Sequence, residues 1–403
     1  MRLFTSSIVT IAVAAACVIA PRPASAQSAA NPIDQPRFVF GPIGLVPTVA
    51  IKDAGIDSNV FNTADDPRQD YTATLTTSLD AGMRVARARV RAKGRLDYVS
   101  FAHTVSENSL NGTASLRIDV PLGRITPTAW YAALKTRHRP GFEIDARARR
   151  FEQTAGLGVD LRISGKTTVN ASAQRLRIAF DGDQFFLGTN LRDVLDRDQD
   201  SATLSLRYAV TPLTTIIVQS EGRRDRFAYT PQRDADSMRG MTGFEFDALA
   251  MITGSALVGV KRFEPYDPQV PAFRGPVVFV TVGTRLGPRL KLTLDAQRDV
   301  DYSFDRSRPY YVSNSGVASV SLGVTSAWDL VARGGRYQLQ RFGGIASSAA
   351  DREEIVDIAG GGIGYRFSRS RIGIDADLTE RFADRTSRRY HSLRIATSIT
   401  HAF

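Results

Sequence analysis

The chain has 403 residues, a formal net charge of +11 and one cysteine, with 43% hydrophobic, 9% aromatic and 23% charged side chains. This apolar content is too high for a disordered chain, and a single thiol builds neither a disulfide framework nor a thiolate metal site. Arginine outnumbers lysine 46 to 6, which favours fixed, planar, bidentate donors over flexible ammonium groups.

Residues 1–26 read as a signal peptide. Arg2 precedes an apolar stretch from Ser7 to Ala20 that is too short to span a membrane, and Ala24-Ser25-Ala26 offers small residues where signal peptidase needs them. Ala14-Ala15-Ala16-Cys17 departs from a lipoprotein signal, which has Leu three positions before the Cys. Cleavage after Ala26 removes Arg2 and Arg22, taking the charge from +11 to +9, and removes Cys17. No later window offers about 18 consecutive apolar residues, so the mature chain has no membrane helix. Residues 27–42 read as a short, polar, proline-containing periplasmic tail.

From residue 43 onward the sequence alternates with a period of two. In 86–98 the odd positions are Arg87, Arg89, Arg91, Lys93, Arg95 and Asp97, and the even ones are Ala86, Ala88, Val90, Ala92, Gly94, Leu96 and Tyr98. A strand puts these sets on opposite faces, whereas a helix would spread the charge all round. The alternation recurs in 70–83, 109–122, 201–210, 289–304 and 371–382. In 289–304 it sets Leu290, Leu292, Leu294, Val300, Tyr302 and Phe304 against Lys291, Asp295, Asp299 and Asp301, and Arg298 breaks it.

Many such strands fit either a soluble sandwich or a transmembrane barrel. The apolar face is rich in Ala, Val, Thr and Gly, which suits lipid better than a core filled to crystal density. Aromatics near strand ends suit interfacial girdles. Short links near 84–85, 122–124, 164–166, 211–213, 252–254, 286–288, 326–327 and 368–370 alternate with long polar segments near 53–69, 101–107, 138–148, 181–199, 224–238, 264–273, 305–310, 342–352 and 383–388. Residues 43–403 are therefore expected to form an all-β, antiparallel, up-and-down outer-membrane β-barrel of eighteen strands, or sixteen if the first segment does not pair. The last strand ends in Phe403 with Ile395 and Ile399 on the same face, resembling the C-terminal signature that barrel-assembly machinery reads. Lipid and lipopolysaccharide are the surroundings this location implies.

Placed this way, the lumen carries Arg87, Arg89, Arg91, Lys93, Arg95, Arg117, Lys135, Arg137, Arg162, Arg207, Arg285, Lys291 and Arg336. Guanidinium forks bind carboxylate and phosphate, and a low-dielectric wall focuses their field. One reading is a basic conduit for anionic solutes or acidic polysaccharide. The other is a wall braced by Arg–Asp pairs, in a non-conducting barrel that serves surface polysaccharide as a structural or assembly partner. An inward loop favours the second, and 181–199 and 224–238 are the candidate segments.

Other chemistries are weakly signalled. The basic residues are spread over every strand, which speaks against nucleic acid. Asp196, Asp198 and Asp200 have the spacing that opens a calcium loop, but Ser201 follows where Gly is needed and Arg207 stands where Glu is needed. Nothing marks His103 and Ser106 as a catalytic pair, so no enzyme activity, cofactor or metal is expected.

The phrase Gly55-Ile56-Asp57-Ser58-Asn59-Val60-Phe61, just after the first strand, resembles the opening of the β-barrel porin type 2 family. Residues 43–403 are similar to that family in layout. Its members often accompany exopolysaccharide or capsule loci, so the resemblance implies a role in polymer export and polysaccharide-export components as partners.

Overall fold

The computed structural model describes residues 36–247, 250–342 and 353–402. The expected signal peptide, the tail up to residue 35 and Phe403 lie outside the described residues. Eighteen strands of 11 to 16 residues make one antiparallel sheet. They are β1 (Ile43–Asp57), β2 (Asp70–Val85), β3 (Ala88–Phe101), β4 (Ser109–Asp119), β5 (Ile125–Thr136), β6 (Arg150–Arg162), β7 (Thr167–Phe180), β8 (Arg197–Thr211) and β9 (Thr214–Phe227). They continue with β10 (Ala235–Phe246), β11 (Ile252–Pro265), β12 (Phe273–Leu286), β13 (Leu290–Tyr302), β14 (Tyr310–Gly323), β15 (Trp328–Phe342), β16 (Glu353–Phe367), β17 (Ser370–Ala383) and β18 (Tyr390–Ala402). Each pairs with its sequence neighbours, and β1 pairs with β18, which closes the cylinder and removes both edges. Phe38–Phe40, inside the expected tail, adds a short strand against Ile43–Leu45.

Closure pairs the backbone of each strand on both sides across the middle of the wall, which is what hydrocarbon demands of any element that crosses it. No helix among the described residues is long and apolar enough to cross a membrane. Tight turns make one rim, such as Ala86-Arg87 with Ala86 at φ 51°. β10 ends at Phe246 and β11 starts at Ile252, so the turn expected at 252–254 lies before those residues. The long connections gather at the other rim, which is extracellular in this class of barrel.

Around the middle of the wall Leu75, Leu79, Leu157, Leu204, Val258 and Ile374 are exposed on the outer surface. Aromatic pairs such as Trp328–Tyr365 (5.0 Å between centroids) mark the turn end. The joint between β1 and β18 carries extra bonds. Gly55 lies so close to β18 that a Cβ would sit 2.0 Å from the Ile395 carbonyl oxygen. Asn59, almost fully buried, donates through Nδ2 to the carbonyls of Thr63 (2.8 Å) and His391 (3.2 Å). Ser392 donates to Asp57, and Leu393 N–H donates to the Ser58 hydroxyl. The phrase 55–61 is thus a clasp between the first and last strands.

Candidate functional site

The inner wall is charged. Arg89, Arg91, Lys93 and Arg95 share a face of β3 with buried Phe101, and Arg117 shares a face of β4 with buried Asp119 and Asn111. Arg162, Arg207, Arg285 and Lys291 share faces with buried Glu152, Ser205, Val277 and Asp299 on β6, β8, β12 and β13. Much of this charge is tied up. Asp119 accepts from Arg91 (2.7 Å) and Arg117 (2.8 Å), Asp97 pairs with Arg95 (2.8 Å), and Asp80 with Lys93 (3.5 Å). Elsewhere Arg239–Glu221 (2.7 Å) braces the neighbours β10 and β9, and Arg371–Asp329 (2.7 Å) reaches from β17 across β16 to β15.

Four expected lumen residues lie elsewhere. Arg87 sits in the turn Ala86-Arg87. Arg137 lies just past the end of β5 and pairs with Glu107 (2.9 Å) at the loop rim. Lys135 shares the outer face of β5 with Tyr131, opposite buried Thr128 and Thr136. Arg336 also points outward, with its side chain 64% exposed and bonded to Asp357 (2.7 Å), while adjacent Tyr337 is buried. Arg87 and Arg137 fall outside the strands, and for Lys135 and Arg336 the physical reason is that polarity inverts near the loop rim. There the outer face leaves hydrocarbon for the headgroup zone, so it carries Arg175–Asp200 (2.8 Å) and Arg177–Asp198. The inner face of β7 becomes Leu176, Ile178 and Phe180, all buried. The Asp-x-Asp-x-Asp spacing is part of this inversion. Asp198 and Asp200 face out as ion pairs, and Asp196 turns in to accept the Phe180 N–H (2.7 Å).

Among the described residues, those inner apolar positions pack against three segments that enter the lumen. The first is the β5–β6 connection, 137–149. Its Phe142 stacks on Tyr337 across the barrel (3.5 Å between centroids). Its acids are gripped by the far wall: Glu143 by Arg341 (3.1 Å), and Asp145 by Arg381 (3.2 Å) and Arg388 (3.7 Å). Glu354 accepts from Arg341 (2.8 Å), Arg388 (2.8 Å) and Arg381, so three guanidiniums share three carboxylates in a buried cluster. The second segment is 181–196, where the short helix α1 (Leu191–Leu195) buries Leu191 and Val194 against Ile144, Ile178 and Phe180. The third is the β13–β14 tip, 303–309. Ser303 Oγ and Phe304 N–H donate to Glu143 (2.6 and 3.0 Å), and Phe304 meets Phe186 edge-on. Between these segments and the wall lies a cavity of about 80 Å³, a few water molecules' worth.

Segment 181–196 was legible as an inward candidate. Of 224–238, residues up to Phe227 and from Ala235 belong to strands, and Arg233 reaches inside to donate to the Ser303 and Pro309 carbonyls. The main plug segment, 137–149, escaped sequence reasoning. Its signal is the run Phe142-Glu143-Ile144, apolar groups and a carboxylate in a stretch that otherwise reads as a solvated loop. Burial raises the Glu143 and Asp145 carboxyls above the usual range despite the guanidiniums around them. Burial also lowers Arg233 to about 10.

A closed eighteen-strand barrel with an apolar belt, charged inner wall and inward segments defines an outer-membrane protein of the porin type. The chain belongs to the family described as Putative beta-barrel porin 2, which matches residues 41–402. Among solved structures it is similar to a BenF-like porin from Pseudomonas fluorescens Pf-5, at 9% identity over 90% of this chain and 100% of that one, with a TM-score of 0.51. That likeness shows the fold alone. OpdK from Pseudomonas aeruginosa gives 9% identity over 89% and 99% of the two chains with a TM-score of 0.47. The siderophore receptor PirA from Pseudomonas aeruginosa gives 8% over 89% and 80% with 0.42. No curated protein matches the sequence.

Proposed function

We propose that this porin-family barrel passes anionic solutes through a basic vestibule at its turn end, and that the inward segments hold it closed in the state described above. The observation that carries this reading is the β3–β4 wall, where Arg89, Arg91, Lys93, Arg95 and Arg117 share the inner surface with Asp80, Asp97 and Asp119. Fixed cations on a low-dielectric wall raise the local anion concentration. The ligand class is carboxylate- or phosphate-bearing solutes, with an acidic sugar chain as its longest member. No bond is made or broken in such passage, so no catalytic residue is invoked.

Single-channel recording in planar bilayers tests this. Wild-type protein is expected to show openings with anion-selective reversal potentials, and Arg91→Glu with Arg95→Glu to shift them toward cations. Unchanged selectivity in that variant removes the basic vestibule from the account. Complete silence at every voltage favours the second reading, for which the filled lumen speaks: a non-conducting barrel that acts as a partner in surface-polysaccharide assembly. Two further partners fit the outer surface. Ile395 and Ile399, exposed on β18, suit the barrel-assembly machinery together with Phe403. The outward Arg175, Arg177, Arg224 and Arg226 suit lipopolysaccharide phosphates. Phosphorylated lipid A should co-purify with the protein, and Arg175→Ala with Arg224→Ala should reduce it. Equal amounts would remove that contact.

A further inference from the structure

The β12–β13 ladder stops at Val278↔Arg298, although β12 begins at Phe273 and β13 runs to Tyr302. Residues 273–277 and 299–302 therefore lack each other as partners, while β13 stays paired to β14 up to Tyr302↔Tyr310. Above the stop, the hairpin leaves the wall and slips inside it. Val300 and Val312 share the lipid-facing register of Leu294 and Val320, yet they are 5% and 0% exposed. They are buried against Phe263 and Phe273, which face inward from β11 and β12. Tyr302 meets Phe227 (4.7 Å between centroids) and Tyr310 meets Phe263 (4.9 Å), again outer-face rings against inner-face rings.

The amino-acid sequence suits a different position. Its alternation places Val300 and Tyr302 with Leu290, Leu292 and Leu294 as one lipid-facing row, as in a straight wall strand. The residue that breaks this pattern, Arg298, sits where the ladder ends and donates to the Pro276 carbonyl (3.1 Å) and to Asn314. Pro276 has no N–H to offer a ladder, so the next rungs hold less firmly than others. Polar contacts fasten the tucked position instead. Asp299 is gripped by Lys261 (2.6 Å) and Arg239 (3.4 Å), and the Tyr310 hydroxyl donates to the Pro271 carbonyl (2.6 Å).

We infer that the loop-end halves of β13 and β14 have two seatings, tucked inside the wall and zipped into it, and that exchange between them gates the lumen. Extending the existing register by four rungs (277 with 299 through 274 with 302) returns Val300, Tyr302, Tyr310 and Val312 to the lipid side. The same movement withdraws the 303–309 tip from Glu143 and takes one of the three plug segments away. This is a bistable element rather than a continuously deformable one, because each seating has its own packed face and its own bonds. The gating consequence rests on the porin reading above, whereas the movement does not.

Cysteine pairs test the movement. Pro276 faces outward and Val300 lies beneath the inner face of β12, so the strand backbone separates them in the tucked seating. In the zipped seating they stand directly opposite, within the roughly 4.5–5.5 Å Cβ spacing of a cross-strand pair, close to the reach of a disulfide. Val280→Cys with Ala296→Cys, opposite each other in the existing ladder, is the control. Pro276→Cys with Val300→Cys is expected to cross-link under mild oxidant more slowly than the control, read by gel mobility. The oxidised protein should conduct several-fold more than the reduced one. If that pair does not fold, Arg274→Cys with Tyr302→Cys reads the same seating. Cross-linking of the control alone, even under applied voltage, overturns the two seatings. Cross-linking without a change in a conducting protein overturns the gate. Cross-linking in a protein silent in both redox states supports the seatings and overturns the porin reading instead.

Discussion

Arg381→Gln is expected to raise conductance several-fold and to expose the 137–149 segment to trypsin. The Arg381 side chain is 1% exposed and grips the segment at Asp145 (3.2 Å) and at the Phe142 carbonyl, while also bonding Glu354 on the wall. Removing its charge leaves Asp145 and Glu354 in the buried cluster with Arg388 as the cation they share. Breaking a buried pair by deleting one partner costs about 3–5 kcal/mol, against about 0–1 kcal/mol for an exposed pair. Swinging a two-state equilibrium from one extreme to the other takes about 5.5 kcal/mol, so the penalty moves a seated loop most of the way to release. Arg137 and Arg147 supply the cleavage sites. Glu380→Gln, one residue away on the outer face of β17, is the control and should change neither readout. If both variants behave like wild type, the apolar contacts of Phe142 and Ile144 hold the segment and the ion cluster is incidental.

Opening is expected to increase as pH rises from about 4, the ordinary carboxyl range, through neutrality. Burial raises the Glu143 and Asp145 carboxyls while the loop is seated. The groups facing them are Arg341, Ser303, Phe304 N–H and Glu354 around Glu143, and Arg381, Arg388, Arg139 and Glu354 around Asp145. A released loop returns both acids to water and to their ordinary values. The seated state therefore binds more protons, and by linkage acid holds it while a rising pH weakens it through the raised seated-state values. Open probability measured between pH 4 and 8 checks the sign. Glu143→Gln should flatten the response, because the seated and released states then no longer differ at that position. Opening favoured by acid contradicts the assignment.

The barrel was legible in the sequence because hydrocarbon and water lie on opposite sides of every strand. Leu96 and Tyr98 against Arg95 and Asp97 mark a strand with one apolar and one wet face, and the alternation of short and long connections turns such strands into a barrel. The legibility fails at the loop end for the same physical reason. Once a strand rises past the hydrocarbon and the lumen is packed, the two faces exchange chemistry. Lys135 and Arg336 then read as inner residues while facing out, and Tyr302 and Phe304 read as interfacial aromatics while lying inside. The inward turn of 137–149 was hidden for another reason. What draws Glu143 in is Arg341, about half the chain away, and Arg388 beyond it, so no local window contains the cause.

The clasp at Asn59 bears on how the molecule is made. Its amide reaches the carbonyl of His391, 332 residues along the chain, so this bond cannot form until every intervening strand has taken its place. A polypeptide with one hairpin missing or out of step presents a different residue there, and the two ends meet without being locked. Asn59 is therefore placed to distinguish a complete cylinder from a faulty one. Its replacement by Ala is expected to erase that difference, so that the complete barrel loses its heat-resistant gel mobility at a lower temperature than wild type.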